Sequence, residues 1–105
     1  MDFNELAERL GLEQDEFMEL VELFLETGGA DLEKIQSALQ QGDGERVVQA
    51  AHSLKGASGN LGFMKIYDAA REVEEKARND SLEGIEVSVN AISAKFEELG
   101  TATTG

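Results

Sequence analysis

The feature that most constrains the fold of this chain is the complete absence of proline from its 105 residues. No position therefore breaks a helix by removing a backbone N–H donor, and strong helix formers (Glu, Leu, Ala, Lys and Gln) dominate the composition. Apolar residues recur three and four positions apart in several segments that are separated by short turn sequences. Long amphipathic helices joined by short turns predict an all-α fold, an antiparallel four-helix bundle with a short N-terminal helix capping it.

Turn residues and helix caps divide the chain into five predicted helices. These helices span residues 2–10, 13–41, 43–60 and 63–78, with a last helix that carries its apolar stripe from Ile85 to Leu99. Asp2 and Asp80 each precede a glutamate by three residues, which is the spacing of a capping box, and Asp43 is a candidate N-cap. Gly28-Gly29 could separate two helices, but the apolar stripe resumes almost in phase, which favours one long kinked helix.

The same spacing predicts which residues form the core. The inward-facing series are Val47, Ala51, Leu54, Ser58 and Leu61 on the third helix and Ile66, Ala70, Val73 and Ala77 on the fourth. The length suits one domain, and we expect a helical bundle over residues 1–100 and a flexible tail over residues 101–105.

Composition limits the compartment and the partners. The chain has no cysteine, no recognisable signal peptide and only short apolar runs, so we expect a cytoplasmic protein without a membrane span. Its formal net charge of -13 repels nucleic-acid phosphates and anionic membranes, so neither is an expected partner. The acidity could also serve solubility alone. A single histidine and scattered carboxylates argue against a metal site.

The single histidine, His52, lies in the run AAHSLKGASGNLGF over residues 50–63. On a helix, Lys55 and Gly56 lie one turn beyond His52, and Gly59 lies two turns beyond it. All three lie on or next to the helix face that carries the imidazole. A glycine inside a helix costs about 1 kcal/mol relative to alanine. The two glycines therefore predict the close approach of a partner or, alternatively, close packing of another helix. His52 is offset by about 100° from the inward series, which places it at the edge of the buried stripe.

This run resembles the signature of histidine-containing phosphotransfer (HPt) domains, close to His-x-x-Lys-Gly-x-x-Gly-x-x-Gly, in which Gly62 supplies the last glycine. It is also similar to the phosphoacceptor domain of bacterial chemotaxis kinases. The resemblance covers most of the chain in length and helix pattern and is sharp from residue 50 to residue 62. It implies a four-helix bundle and a phosphorelay carrier of two-component signalling, not an enzyme. His52 would accept a phosphoryl group from a kinase or a receiver aspartate and pass it to a downstream receiver.

Phosphoryl transfer asks the acceptor mainly for position and charge compensation, because the transition state is loose and in line. Lys55 is the candidate for stabilising the phosphoryl oxygens, and Gly56 and Gly59 are the candidates for a clear docking surface. The chain has no nucleotide-binding loop. We therefore expect no cofactor of its own, with Mg²⁺ supplied by the partner, a response-regulator receiver or a histidine kinase.

A second side chain is expected to orient the imidazole through its other ring nitrogen. The turn at Gly62 folds the next helix back, so that its second and third turns come level with His52. In the chemotaxis-kinase domains a glutamate at this spacing bonds the ring, and Glu74 matches it. Glu74 could equally be an ordinary solvated residue, and Arg71, one turn earlier, is another expected neighbour.

Two other functions stay open from the sequence. A pseudo-HPt bundle could bind signalling partners as an adaptor without chemistry, although the joint presence of His52, Lys55 and Gly56 argues against it. An acidic helical enzyme is the third interpretation, but no carboxylate pair or catalytic triad stands out. We expect a monomer, and the sequence does not name its donor or its acceptor.

Overall fold

Helices form where the sequence has amphipathic segments, as seen in a computed structural model that describes residues 3–79 and 81–104. The described residues contain five helices and no strand. The helices are α1 (Phe3–Arg9), α2 (Gln14–Gln40), α3 (Gly44–Leu61), α4 (Met64–Arg78) and α5 (Ile85–Thr104). The prediction of an all-α bundle with a short N-terminal helix is confirmed.

Local capping explains most of the helix boundaries. Asp43 caps α3, since its side chain accepts a hydrogen bond from the backbone N–H of Arg46 at 3.3 Å. Gly62 ends α3 with a φ of 80°, a left-handed conformation that glycine adopts without a Cβ clash. At the start of α2, the backbone N–H of Glu13 donates to the Glu16 carboxylate at 3.1 Å. The predicted capping residues Asp2 and Asp80 lie outside the described residues.

The Gly28-Gly29 pair does not divide α2, which runs as one helix through both residues. Gly28 is buried, and a Cβ added there would lie 3.0 Å from Cζ of Phe96 and 3.3 Å from Cδ1 of Leu54. Its missing side chain therefore lets α2 approach α3 and α5 closely. Gly29 faces open space. The prediction of one helix instead of two is confirmed.

The last helix extends beyond the apolar stripe, from Ile85 to Leu99, by which the sequence predicts it. Helix α5 continues through Gly100 to Thr104. Gly100 is not among the glycines with positive φ, so it keeps the helical backbone. A single glycine costs a helix only about 1 kcal/mol, which does not suffice to end it. The proposed division of the chain at residue 100 stays a prediction.

Helices α2, α3, α4 and α5 surround one core, and each packs against two of the others. Helix α2 packs against α3 and α5, α4 packs against the same two helices, and α1 contacts α2. Short connections place consecutive helices side by side in opposite directions. The largest fully buried side chains include Phe17, Ile35, Leu54, Ile66, Ile85, Ile92 and Leu99. The predicted inward series of α3 and α4 are buried, apart from the half-buried Leu61. None of the described helices combines the length and the apolar character needed to cross a bilayer.

Candidate functional site

The candidate site lies where α3 and α4 run side by side. His52 lies midway along α3, and Glu74 lies in the third turn of α4. The turn between the two helices brings them together, so that Nδ1 of His52 is 2.8 Å from Oε2 of Glu74. The His52 side chain is 67% exposed, in agreement with its predicted place at the edge of the buried stripe.

Glu74 is the centre of the site, and it is only 3% exposed although it carries a charge. Lys55 donates from Nζ to Oε1 at 2.7 Å, and Arg78 donates from Nη2 to Oε2 at 2.9 Å. Among the described residues, no buried side-chain nitrogen or oxygen lacks a partner. A buried carboxylate is tolerated only when it is paired and hydrogen-bonded, so these donors are what allow Glu74 to lie there.

The surroundings of Glu74 set its protonation. Burial on its own raises the pKa of the Glu74 carboxyl, but the hydrogen bonds from Lys55 and His52, together with their charges, outweigh burial and hold that pKa below its usual value. Glu74 is therefore ionised at neutral pH and can only accept hydrogen bonds. The contact assigns the ring proton of His52 to Nδ1, which leaves the lone pair of a neutral ring on Nε2.

Lys55 is held close to the protein, not extended into solvent. Its side chain is 23% exposed, and its ammonium rests on the Glu74 carboxylate one helical turn from His52. The ion pair fixes a positive charge beside the imidazole. The expected contact of Lys55 with phosphoryl oxygens stays a prediction.

The two glycines predicted to form a docking surface have different surroundings. Gly56 is exposed on α3, and a Cβ added there would meet nothing within 4 Å. A Cβ added at Gly59 would lie 3.1 Å from Cδ2 of Tyr67 on α4. The missing side chain of Gly59 therefore accommodates the Tyr67 ring, which supports the helix-packing alternative at this position. A docking role for Gly56 and Gly59 stays a prediction.

The structure adds an arginine to the site that the sequence did not single out. Arg78, one turn beyond Glu74, contacts the Glu74 carboxylate together with His52 and Lys55. Arg71 pairs with Glu75, with its Nε 3.7 Å from Oε1, and its expected place near His52 stays a prediction. At the sequence level Arg78 resembles an ordinary basic residue in the last turn of a helix. The sequence signal for this contact is that Arg78 follows Glu74 by four residues, a spacing at which side chains meet on a helix.

The arrangement can receive an electrophile at Nε2 of His52, because Nδ1 is bonded to the buried Glu74 and the side chain is largely exposed. Two cations, Lys55 and Arg78, bind the same Glu74 carboxylate as the ring does. Within residues 3–79 and 81–104, no group of three or more His, Asp or Glu side chains could hold a metal ion.

Comparison with known proteins places this site inside a family match. The model of the Hpt domain family matches residues 19–102, which contain all of α3 and α4. A similar solved structure is histidine-containing phosphotransfer protein B (HptB) from Pseudomonas aeruginosa PAO1, with 27% sequence identity and a TM-score of 0.85. The similarity covers 99% of this chain and 90% of that chain. A search of curated proteins finds no match.

Proposed function

The chain belongs to the Hpt domain family and is a phosphorelay carrier of two-component signalling, and we propose that His52 is the residue that carries the phosphoryl group. Domains of this family are phosphocarrier modules that interact with histidine kinases and receiver domains. The observation that carries the proposal is the contact of 2.8 Å between Nδ1 of His52 and the buried Glu74. This contact presents Nε2, on an exposed side chain, to an incoming partner.

The geometry supports a direct displacement at phosphorus. The lone pair of Nε2 attacks the phosphorus of an aspartyl phosphate in a receiver, and an N–P bond forms as the P–O bond to the aspartate breaks. The aspartate carboxylate leaves with the electron pair, and the imidazole ring gains one positive charge. Nδ1–H directs that charge toward Glu74, whose ionised carboxylate is already in place. The reverse step delivers the phosphoryl group to the aspartate of a second receiver.

The remaining parts of the reaction are assigned to the partner. Both oxygens of Glu74 accept hydrogen bonds from protein donors, which argues against Mg²⁺ binding at this carboxylate. We propose that the Mg²⁺ comes from the receiver or the kinase and that the chain needs no cofactor of its own. We further propose that it acts as a monomer in the cytoplasm, and its net charge of -13 supports protein partners over nucleic acid or membrane.

A labelling experiment tests His52 as the acceptor. Wild-type protein and His52→Gln are incubated with phosphoramidate and, separately, with a phosphorylated receiver. The wild type is expected to gain a phosphoryl group that is lost in acid, as phosphohistidine is, whereas His52→Gln gains none and keeps its helical circular dichroism. Persistent labelling of the variant would falsify the assignment. An unlabelled wild type that still binds receivers would favour the adaptor function instead.

A further inference from the structure

Arg78 is a cation of the site that takes no part in the displacement at Nε2 of His52. Its Nη2 lies 2.9 Å from Oε2 of Glu74, the same oxygen that lies 2.8 Å from Nδ1 of His52. The guanidinium and the imidazole are therefore within two hydrogen-bond lengths of each other. Lys55 contacts the other oxygen, Oε1. Of the two cations, Arg78 shares its acceptor atom with the ring.

The two cations also differ in how easily they can leave the carboxylate. The side chain of Arg78 is 65% exposed, whereas that of Lys55 is 23% exposed. If Arg78 moves away, Oε2 of Glu74 keeps its hydrogen bond to His52. If Lys55 moves away, Oε1 of a buried carboxylate loses the donor that the structure gives it, which carries a desolvation penalty. Release of Arg78 is therefore the easier of the two movements.

Two further cations of α4, Arg71 and Lys76, pair with carboxylates other than Glu74. Arg71 pairs with Glu75 at 3.7 Å, and Lys76 pairs with Glu72 at 3.2 Å. Neither pair includes Glu74 or His52. This leaves Arg78 and Lys55 as the α3 and α4 cations whose ion pairs bring them to the imidazole.

Building on the proposed function of His52, we propose that Arg78 moves from Glu74 onto the phosphoryl group once His52 is phosphorylated, while Lys55 remains on Glu74. A phosphoryl group on Nε2 presents three oxygens close to the guanidinium. The planar fork of arginine can donate two parallel hydrogen bonds to such a group, whereas an ammonium acts as a point charge. In this proposal Arg78 is the phosphoryl-binding cation, and Lys55 is a positioning residue that acts through Glu74, in place of the contact with phosphoryl oxygens that the sequence predicts for it.

Nuclear magnetic resonance of the wild-type protein tests the exchange without any substitution. The Nε–Hε signal of Arg78 and the Nζ signal of Lys55 are recorded before and after phosphorylation with phosphoramidate. We expect the Arg78 signal to shift and the Lys55 signal to stay. A shift of Lys55 with Arg78 unchanged would overturn the inference.

Variants supply an independent measure with a matched control on the same helix. Arg78→Gln is expected to slow labelling by phosphoramidate by about tenfold, Arg78→Lys to recover part of that loss, and Arg71→Gln to leave the rate unchanged. Equal rates in Arg78→Gln and wild type would also overturn the inference. Failure of the proposed function gives a different result, because His52→Gln would then be labelled or the wild type would not.

Discussion

Two helix contacts in the same bundle differ in polarity. The contact between α3 and α4 contains a buried charged residue, whereas the contact between α2 and α5 is apolar. On the α3–α4 side a buried carboxylate, Glu74, is held by donors from both helices. On the α2–α5 side the rings of Phe24 and Phe96 stack with centroids 5.4 Å apart, and Gly28 lets the helices approach. The comparison indicates a division of roles, in which apolar packing stabilises the fold and the polar contact orients the imidazole.

The largest effect on stability is expected from the apolar side. Phe24 is buried and contacts the rings of both Phe63 and Phe96, so Phe24→Ala should lower the free energy of unfolding by about 3–5 kcal/mol. Urea unfolding measures this loss. Labelling of His52 by phosphoramidate, measured where the variant is still folded, should stay near the wild-type rate. A large fall in labelling per folded molecule would contradict the division of roles.

A smaller loss of stability and a larger loss of function are expected from the polar side. Glu74→Gln removes the charge that balances Lys55, while the exposed partners His52 and Arg78 regain water. We expect a loss of about 1–2 kcal/mol in the free energy of unfolding and a fall of about tenfold or more in labelling. Urea unfolding and phosphoramidate kinetics are the measurements.

The pH dependence of the unfolding free energy, measured for wild type and Glu74→Gln, tests whether the charge of Glu74 stabilises the fold. The pKa of Glu74 is lower in the folded chain than in the unfolded chain, so its stabilisation is complete above the ordinary pKa of a glutamate. The stabilisation is lost as the pH falls through the lower folded pKa. The difference in unfolding free energy between wild type and Glu74→Gln should therefore shrink between pH 7 and pH 3. A difference that is constant over this range would show that the Glu74 charge does not stabilise the fold.

The smallest effects are expected at the two glycines of α3. Gly56→Ala should raise the free energy of unfolding by about 0.5–1 kcal/mol, because the added methyl group meets nothing and alanine favours the helix. Gly59→Ala should raise the free energy of unfolding by less, since the Tyr67 ring must first move by a few tenths of an ångström. Thermal unfolding of both variants makes the comparison. A larger gain at Gly59 would mean that Tyr67 does not restrict this position.

Helical periodicity was enough to predict the bundle, the buried series of α3 and α4 and the position of His52 at the edge of the core. These features depend on which residues share a helix face, and that information is present in the spacing of the sequence. The resemblance to chemotaxis kinases added Glu74, because it fixed the register between two helices that periodicity alone leaves open.

Other features depend on geometry that spacing does not contain. The contact of Gly59 with Tyr67 is decided by how closely α3 and α4 approach, to a fraction of an ångström. The continuation of α5 beyond Gly100 was missed because glycine is compatible with both a helix and its end.

The exposure of His52 beside the open position Gly56 has a consequence for the order of events in signalling. With His52 as the proposed acceptor, its single outward helix face leaves room for one partner protein at a time. We therefore expect the carrier to follow ping-pong kinetics, leaving the donor before it binds the recipient. An excess of the spent donor then competes with the recipient, and the ratio of the two proteins sets how much signal passes.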